Sequence, residues 1–196
     1  MEYLGCKIEV FEGVYKPCDD SFLLAENLEI SNGEYILELG TGCGLISILA
    51  AKGGAKVIST DISEIAIRCA KYNSIVNKVK DNIHFLIGDL FEPLKKGEIF
   101  DQIIFNPPYL PDNNLPKDMI ERAWWGGTKG NEVILKFIDN LENYIDEHTL
   151  IQLIISTLSN PKDIFKKLDN KNFKFRIKKS LKLFFEELYL IEINKK

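Results

Sequence analysis

Short apolar runs of β character alternate with helical stretches along most of this 196-residue chain. That alternation restricts the fold to the α/β class with a largely parallel sheet. The runs 35–39, 56–60, 83–87, 100–105 and 150–156 are apolar and too short for most helices, as strands buried in a parallel sheet are. Between them, 45–51 follows a glycine-rich turn, 63–77 opens on Ser63 as a helix cap, and 131–145 carries apolar residues at helical spacing. Residues 19–28 read as a short preceding helix. Asn160 and Pro161 open another near 161–168, with Asp163 in its first turn. The last runs, 173–178 and 187–194, leave no room between them for a parallel crossover and therefore pair antiparallel. The expectation is a seven-stranded, mostly parallel α/β sheet with an antiparallel C-terminal strand and helices on both faces, formed by residues 1–196 as a single domain.

Composition narrows the class of function. Apolar residues make up 45% and charged residues 28%, an ordinary globular balance. No apolar run approaches the ~18 residues that would span a bilayer. The first ten residues already carry Glu2, Lys7 and Glu9, unlike a signal peptide. The chain thus reads as cytoplasmic, without a membrane partner. Its four cysteines form no Cys-x-x-Cys pair and lie near no histidine cluster, so neither a disulfide framework nor a metal site is expected. The net charge of -4 weighs against a nucleic-acid partner, which usually requires many phosphate contacts. The cations of 174–182 read as the wet face of a strand.

Chemistry concentrates at the carboxyl ends of the strands, where α/β sheets bind ligands. Glycines 40, 42 and 44 carry the chain from the first long strand into a helix, permitting a tight turn and close approach of a ligand to the backbone. The Gly-x-Gly-x-Gly spacing, preceded by Glu38, disfavours a pyrophosphate. Glu38 can instead attract the α-amino group of a methionine moiety or order the loop. Asp61, 21 residues after Gly40, is placed to take both hydroxyls of a ribose. Asp89, after Gly88, can accept from an adenine amino group.

The tetrapeptide Asn106-Pro107-Pro108-Tyr109 directly follows an apolar strand. Consecutive prolines make the segment rigid and cannot donate hydrogen bonds, leaving its carbonyls as acceptors. A planar NH2 group has two donors, and the Asn106 side-chain oxygen and the Pro107 carbonyl can take one each, drawing the nitrogen lone pair out of conjugation. Tyr109 can cover the flat face of such a group by stacking. Catalysis would then be positioning for an in-line displacement, without a strong base. The loop 110–129, with Trp124 and Trp125, is long enough to suggest function; the tryptophans, Trp125 in particular, either cover the substrate or anchor the loop. His84 reads as a surface strand residue.

On these motifs the chain resembles the Rossmann-like class I methyltransferases with an Asn-Pro-Pro-Tyr motif, and among them the HemK-type N5-glutamine methyltransferases of translation release factors. Val14-Tyr15-Lys16-Pro17-Cys18-Asp19-Asp20-Ser21-Phe22-Leu23-Leu24 is similar to the Val-Tyr-x-Pro-Ala-Glu-Asp-Ser/Thr-Phe-Leu-Leu segment of the short eukaryotic and archaeal branch. Ala123-Trp124-Trp125-Gly126-Gly127-Thr128-Lys129-Gly130 is similar to its Ala-Trp-x-Gly-Gly-x-x-Gly segment. The resemblance implies S-adenosyl-L-methionine as cofactor, held by Tyr15, Ser21, Glu38, Gly40, Gly42, Asp61, Ile62, Asp89, Leu90 and Asn106, with residues 1–30 closing over it. It further implies substrate contacts from Asn106, Pro107, Pro108, Tyr109 and Trp125. A Gly-Gly-Gln loop of a class I release factor is the implied substrate, and a small zinc-binding activator subunit, expected on strand 83–87, the implied partner. Cys18 and Asp19 replace the branch's Ala and Glu, so neither is assigned a contact.

Other readings of the tetrapeptide stay open at this level. An adenine N6 amino group presents the same two donors, although the acidic balance and the absence of a target-recognition domain oppose it. A lysine amine offers no flat group to these acceptors. A non-catalytic nucleotide-binding protein or a dinucleotide oxidoreductase would leave residues 106–109 without a task.

Overall fold

The computed structural model describes residues 1–196, which divide into two compact units, Met1–Leu94 with Gln102–Ile104 and Lys95–Asp101 with Phe105–Lys196. In chain order the elements are β1 (Glu2–Tyr3), β2 (Cys6–Lys7), α1 (Asp19–Ala25), β3 (Tyr35–Leu39), α2 (Leu45–Lys52), β4 (Lys56–Asp61), α3 (Glu64–Val76), β5 (Ile83–Ile87) and β6 (Gln102–Phe105). They continue with α4 (Met119–Arg122), α5 (Glu132–Asn140), β7 (Leu150–Ser156), α6 (Pro161–Asn170), β8 (Phe173–Lys182) and β9 (Glu187–Lys195). Seven strands form one sheet in the order β5-β4-β3-β6-β7-β9-β8. The fold is the expected α/β sheet, parallel through its centre and antiparallel at its C-terminal strands.

In the first unit, β3, β4 and β5 pair in parallel, with Leu39 opposite Thr60 and Asp61 opposite Ile87, so their carboxyl ends stay in register. Ile36, Leu37 and Leu39 are buried along β3, as a central parallel strand requires. The helix α3 is capped by the Ser63 hydroxyl, which accepts from the Ala66 amide. Two asparagines of this helix region hold the N-terminal segment: Asn73 accepts from the Glu9 amide at 2.9 Å and donates to the Glu9 carbonyl at 2.7 Å, while Asn77 does the same for Lys7 at 3.0 and 2.7 Å. The β1-β2 hairpin, not anticipated from the sequence, is too short to carry a periodicity.

In the second unit, β9 lies antiparallel between β7 and β8. Phe165 of α6 stacks on Phe175 of β8, ring centres 5.0 Å apart. The cations expected on a wet strand face divide. Lys178 is mostly buried and pairs with the buried Glu192 at 2.9 Å, whereas Arg176, which reaches the same carboxylate at 2.6 Å, and Lys174, Lys179 and Lys182 are exposed. A bulge between Ile177 and Lys179 bends this edge strand. The helix expected over 131–145 stops at Asn140 and passes into a 3-10 turn. The side chains of Asn140 and Asn143 bond back to the carbonyls of Lys136 and Asn140, offering the backbone an alternative to further α-helix.

Candidate active site

The glycine turn after β3 is built around a buried acid. Glu38 is 4% exposed, and one of its oxygens accepts from the Thr41 hydroxyl at 2.8 Å, the Ser47 amide at 3.1 Å, the Ser47 hydroxyl and the Ser59 hydroxyl. Of its two anticipated uses, the structure displays the ordering of the loop. Burial pushes its carboxyl up to about 7, against the pull of the bonds from Ser47, Thr41 and Ser59.

Gly40 and Gly42 both adopt positive φ, 67° and 55°, which favours glycine. A Cβ built on Gly42 meets nothing within 4 Å, so open space lies over this turn. Gly44, at φ 87°, packs against α3 so closely that a Cβ would stand 2.9 Å from that of Ala70.

Asp61 closes β4 and is joined to the glycine turn: its carboxylate accepts from the Gly42 amide at 2.9 Å and, through the other oxygen, from the Ser63 amide at 2.8 Å. A carboxylate has about four lone-pair positions, so both oxygens keep acceptor capacity for a pair of hydroxyls. Ile62 follows as a partly exposed apolar surface. Beyond β5, the Gly88 amide donates to the Asp61 carbonyl at 3.0 Å, which sets Asp89 beside the end of β4. Leu90 is buried with φ 51°. A left-handed conformation costs a branched side chain roughly 1–2 kcal/mol, and such strain gathers at ligand sites.

Tyr15 and Ser21 also come together, through a residue that the sequence reading left out of the site. The Tyr15 hydroxyl lies 3.2 Å from both oxygens of Asp20, and the Ser21 amide and hydroxyl donate to Asp20 at 2.6 and 3.1 Å. Asp20 is buried. The available signal was its place between two assigned residues at the start of an apolar helix. Cys18, by contrast, is exposed and bonds to the Lys16 carbonyl.

In the second unit, Asn106 follows Phe105, a fully buried residue whose ring packs 5.1 Å from Phe137. The segment after Tyr109 is braced by the tryptophan-glycine stretch. The Leu110 amide donates to the Trp124 carbonyl at 2.8 Å, the Gly126 amide to the Leu110 carbonyl at 2.9 Å, and the Asp112 amide to the Gly127 carbonyl at 3.0 Å. The Trp125 indole N–H donates to the Asp112 carbonyl, anchoring the loop. Trp124 is 42% exposed.

Glycines are required where this brace touches Tyr109. A Cβ on Gly130 would stand 2.5 Å from the Tyr109 carbonyl oxygen, and one on Gly126 would stand 2.8 Å from the Tyr109 Cα. Gly130 also has φ 75°. Gly130→Ala is therefore expected to lower the free energy of unfolding by about 2–4 kcal/mol, combining left-handed strain with overpacking against backbone. Urea titration measures it, and a loss below about 1 kcal/mol would show that the brace yields.

The sequence of residues 13–135 matches the family model described as the methyltransferase small domain. This match places the chain among the methyltransferases. A putative protein N5-glutamine methyltransferase of Methanocaldococcus jannaschii is 41% identical over 194 residues, 97% of this chain and 96% of the relative. The human methyltransferase HEMK2 is 34% identical over 173 residues, 82% and 80% of the two chains. The solved Mtq2-Trm112 complex of E. cuniculi, described as methylating the termination factor eRF1, superposes with a TM-score of 0.73 at 26% identity, covering 94% of this chain and 99% of that one. The chain belongs to the HemK-type protein N5-glutamine methyltransferase family.

Proposed function

We propose that the chain uses S-adenosyl-L-methionine to methylate the side-chain amide nitrogen of the glutamine in the Gly-Gly-Gln loop of a class I release factor. The observation that carries this reading is the Asn106-Pro107-Pro108-Tyr109 segment at the end of a buried strand, braced by Gly126 and Gly130, in a chain of this family. When bound, the cofactor supplies an electrophilic methyl group. The open space over Gly42 and the acceptor capacity left on Asp61 fit its amino-acid and ribose portions. Asp89, Ile62 and Leu90 would hold the adenine, and Tyr15 and Ser21, gathered on Asp20, would close the N-terminal residues 1–30 over the site.

The protein's part in the reaction is orientation. The Asn106 side-chain oxygen and the Pro107 carbonyl each accept one N–H of the glutamine amide, fixing its plane, and Tyr109 covers its face. Both acceptors bind more strongly as positive charge develops on that nitrogen, which then loses one proton to solvent. A planar conjugated amide is selected over a lysine amine because both acceptors need an N–H in one plane.

A small zinc-binding activator is the expected partner. Edge strand β5 and the adjoining face of α3 carry Ile87, Ile75 and Val76, exposed by 54, 60 and 40%, together with Tyr72. His84 is exposed on the same strand, as expected. An apolar strand edge of this kind suits a covering subunit. Release factors act in translation, so the proposed site of this activity is the cytoplasm.

The test incubates the chain, alone and with the activator, with methyl-labelled S-adenosylmethionine and either release factor or nucleic acid. Label is expected on the release-factor glutamine. Label confined to nucleic acid would overturn the assignment in favour of an adenine acceptor.

A further inference from the structure

The tip of the β8-β9 hairpin carries two bare aromatic side chains, Phe184 and Phe185, exposed by 93 and 85%. Their rings meet edge to face with centres 4.6 Å apart. The hairpin itself is held firmly. The Leu183 amide donates to the Glu186 carbonyl at 2.8 Å, the Ser156 hydroxyl bonds to the Glu186 carboxylate, and the Glu187 amide donates to the Thr157 hydroxyl at 3.0 Å. Neither ring is needed to form this turn. Two phenylalanines kept in water on a rigid support are an unusual expenditure for a monomer surface, and such residues mark contact sites.

Position gives the tip a role. It lies beyond Ser156, the last residue of β7, whose partner across the pair is Leu188. The tetrapeptide 106–109, in the same compact unit, follows the last residue of β6, the neighbour of β7 in the sheet. The tetrapeptide thus follows the carboxyl end of β6 and the tip lies beyond that of its neighbour β7, on the edge where α/β sheets gather ligand-binding loops. Cations border the tip: Lys179 and Lys182 are exposed on the strand leading into it, and Lys174 lies further back.

From this we propose that the Phe184-Phe185 tip is a docking contact for the protein substrate, inserting into an apolar pocket bordered by carboxylates on the surface around the methylated loop. The proposal rests on the reading of the chain as a protein methyltransferase.

The test compares wild type with Phe184→Ser/Phe185→Ser in the complex with its activator, using full-length release factor and a short Gly-Gly-Gln peptide as substrates. Both positions are solvent-exposed, so an unchanged thermal midpoint is expected and serves as the folding control. The KM for the full-length factor should rise by about tenfold or more, as loss of a central aromatic contact does, with kcat and the kinetics on the peptide unchanged. A charge-reversed Lys179→Glu/Lys182→Glu variant should raise the same KM most at low salt, where screening is weakest. Unchanged KM in the phenylalanine variant, with the wild type active, overturns the docking contact and leaves the activity standing. A wild type inactive on both factor and peptide overturns the activity, and the docking contact with it. Loss of RNA binding by the variant, with full-length KM intact, overturns the protein partner.

Discussion

Replacing Asn106 by alanine is expected to lower kcat for methyl transfer by about 10²–10³-fold, the usual effect of deleting one preorganised hydrogen-bonding group that acts mainly in the transition state. In the proposed mechanism the side chain contributes an acceptor to one N–H of the substrate amide, and Pro107, which follows it, contributes only its carbonyl. Alanine leaves that second acceptor and the braced segment intact, so the folded state persists and cofactor affinity changes by only a few-fold. Asn106→Asp retains an oxygen in the same place and should recover part of the rate. Single-turnover transfer of labelled methyl, with cofactor binding followed by calorimetry, separates the two terms. An alanine variant with full kcat would contradict the orientation mechanism, and one that loses cofactor binding in proportion would move Asn106 from the substrate to the cofactor.

The second large effect belongs to Glu38. Its carboxyl, ordinarily at 4.5, stands at about 7 in the folded chain because burial opposes the charge more than the bonds from Ser47, Thr41 and Ser59 favour it. The folded state then holds this proton more tightly than the unfolded state, so stability is greatest below the unfolded value and declines as pH rises through the folded one. At roughly 1.4 kcal/mol per unit, the decline between pH 4.5 and pH 7 is on the order of 3 kcal/mol. Glu38→Gln keeps an acceptor for Thr41 and Ser47 without the charge, and its difference from wild type should grow across that interval. Glu38→Ala should instead lose stability at every pH, since it strands the buried Ser47 amide. Equal pH profiles for wild type and the glutamine variant would remove the buried charge from the account.

Much of this arrangement is legible in the sequence. Strands at 35–39 and 150–156 stand where the apolar runs placed them, because a strand buried on both faces leaves a continuous signature; the strand at 83–87 stands where its β-like run placed it although it lies at the sheet edge with His84 and Ile87 exposed. The glycine turn and Asp61 were readable for a related reason: a backbone that must turn at positive φ leaves few residues to choose from. What escaped was the wiring beneath. Nothing in the spacing of Glu38 says that its oxygen faces inward to Thr41 and Ser47, since those contacts depend on how α2 returns over β3. Likewise, the closeness of Gly130 to Tyr109 joins positions twenty-one residues apart through a loop with no periodicity. The family resemblance marked Gly126 and Gly130 as part of a motif, while the structure supplies the reason for their smallness. The overextended helix after 131 failed for a local cause, the asparagine side chains that take its last carbonyls.

The two margins of the sheet are finished differently. At β8, lysines and a bulge discourage any further strand from joining. At β5, whose own residues include no lysine, Ile87 and its neighbours Ile75 and Val76 on α3 are exposed. For anyone producing this chain in a foreign host, that asymmetry has a practical side: yield in the soluble fraction should depend less on the chain's own folding than on whether something caps β5 before two copies meet there. Co-expression with the proposed activator would then bear on colloidal behaviour as well as catalysis, and one glutamate or lysine in place of Ile87 would serve a crystallographer as a cheaper substitute.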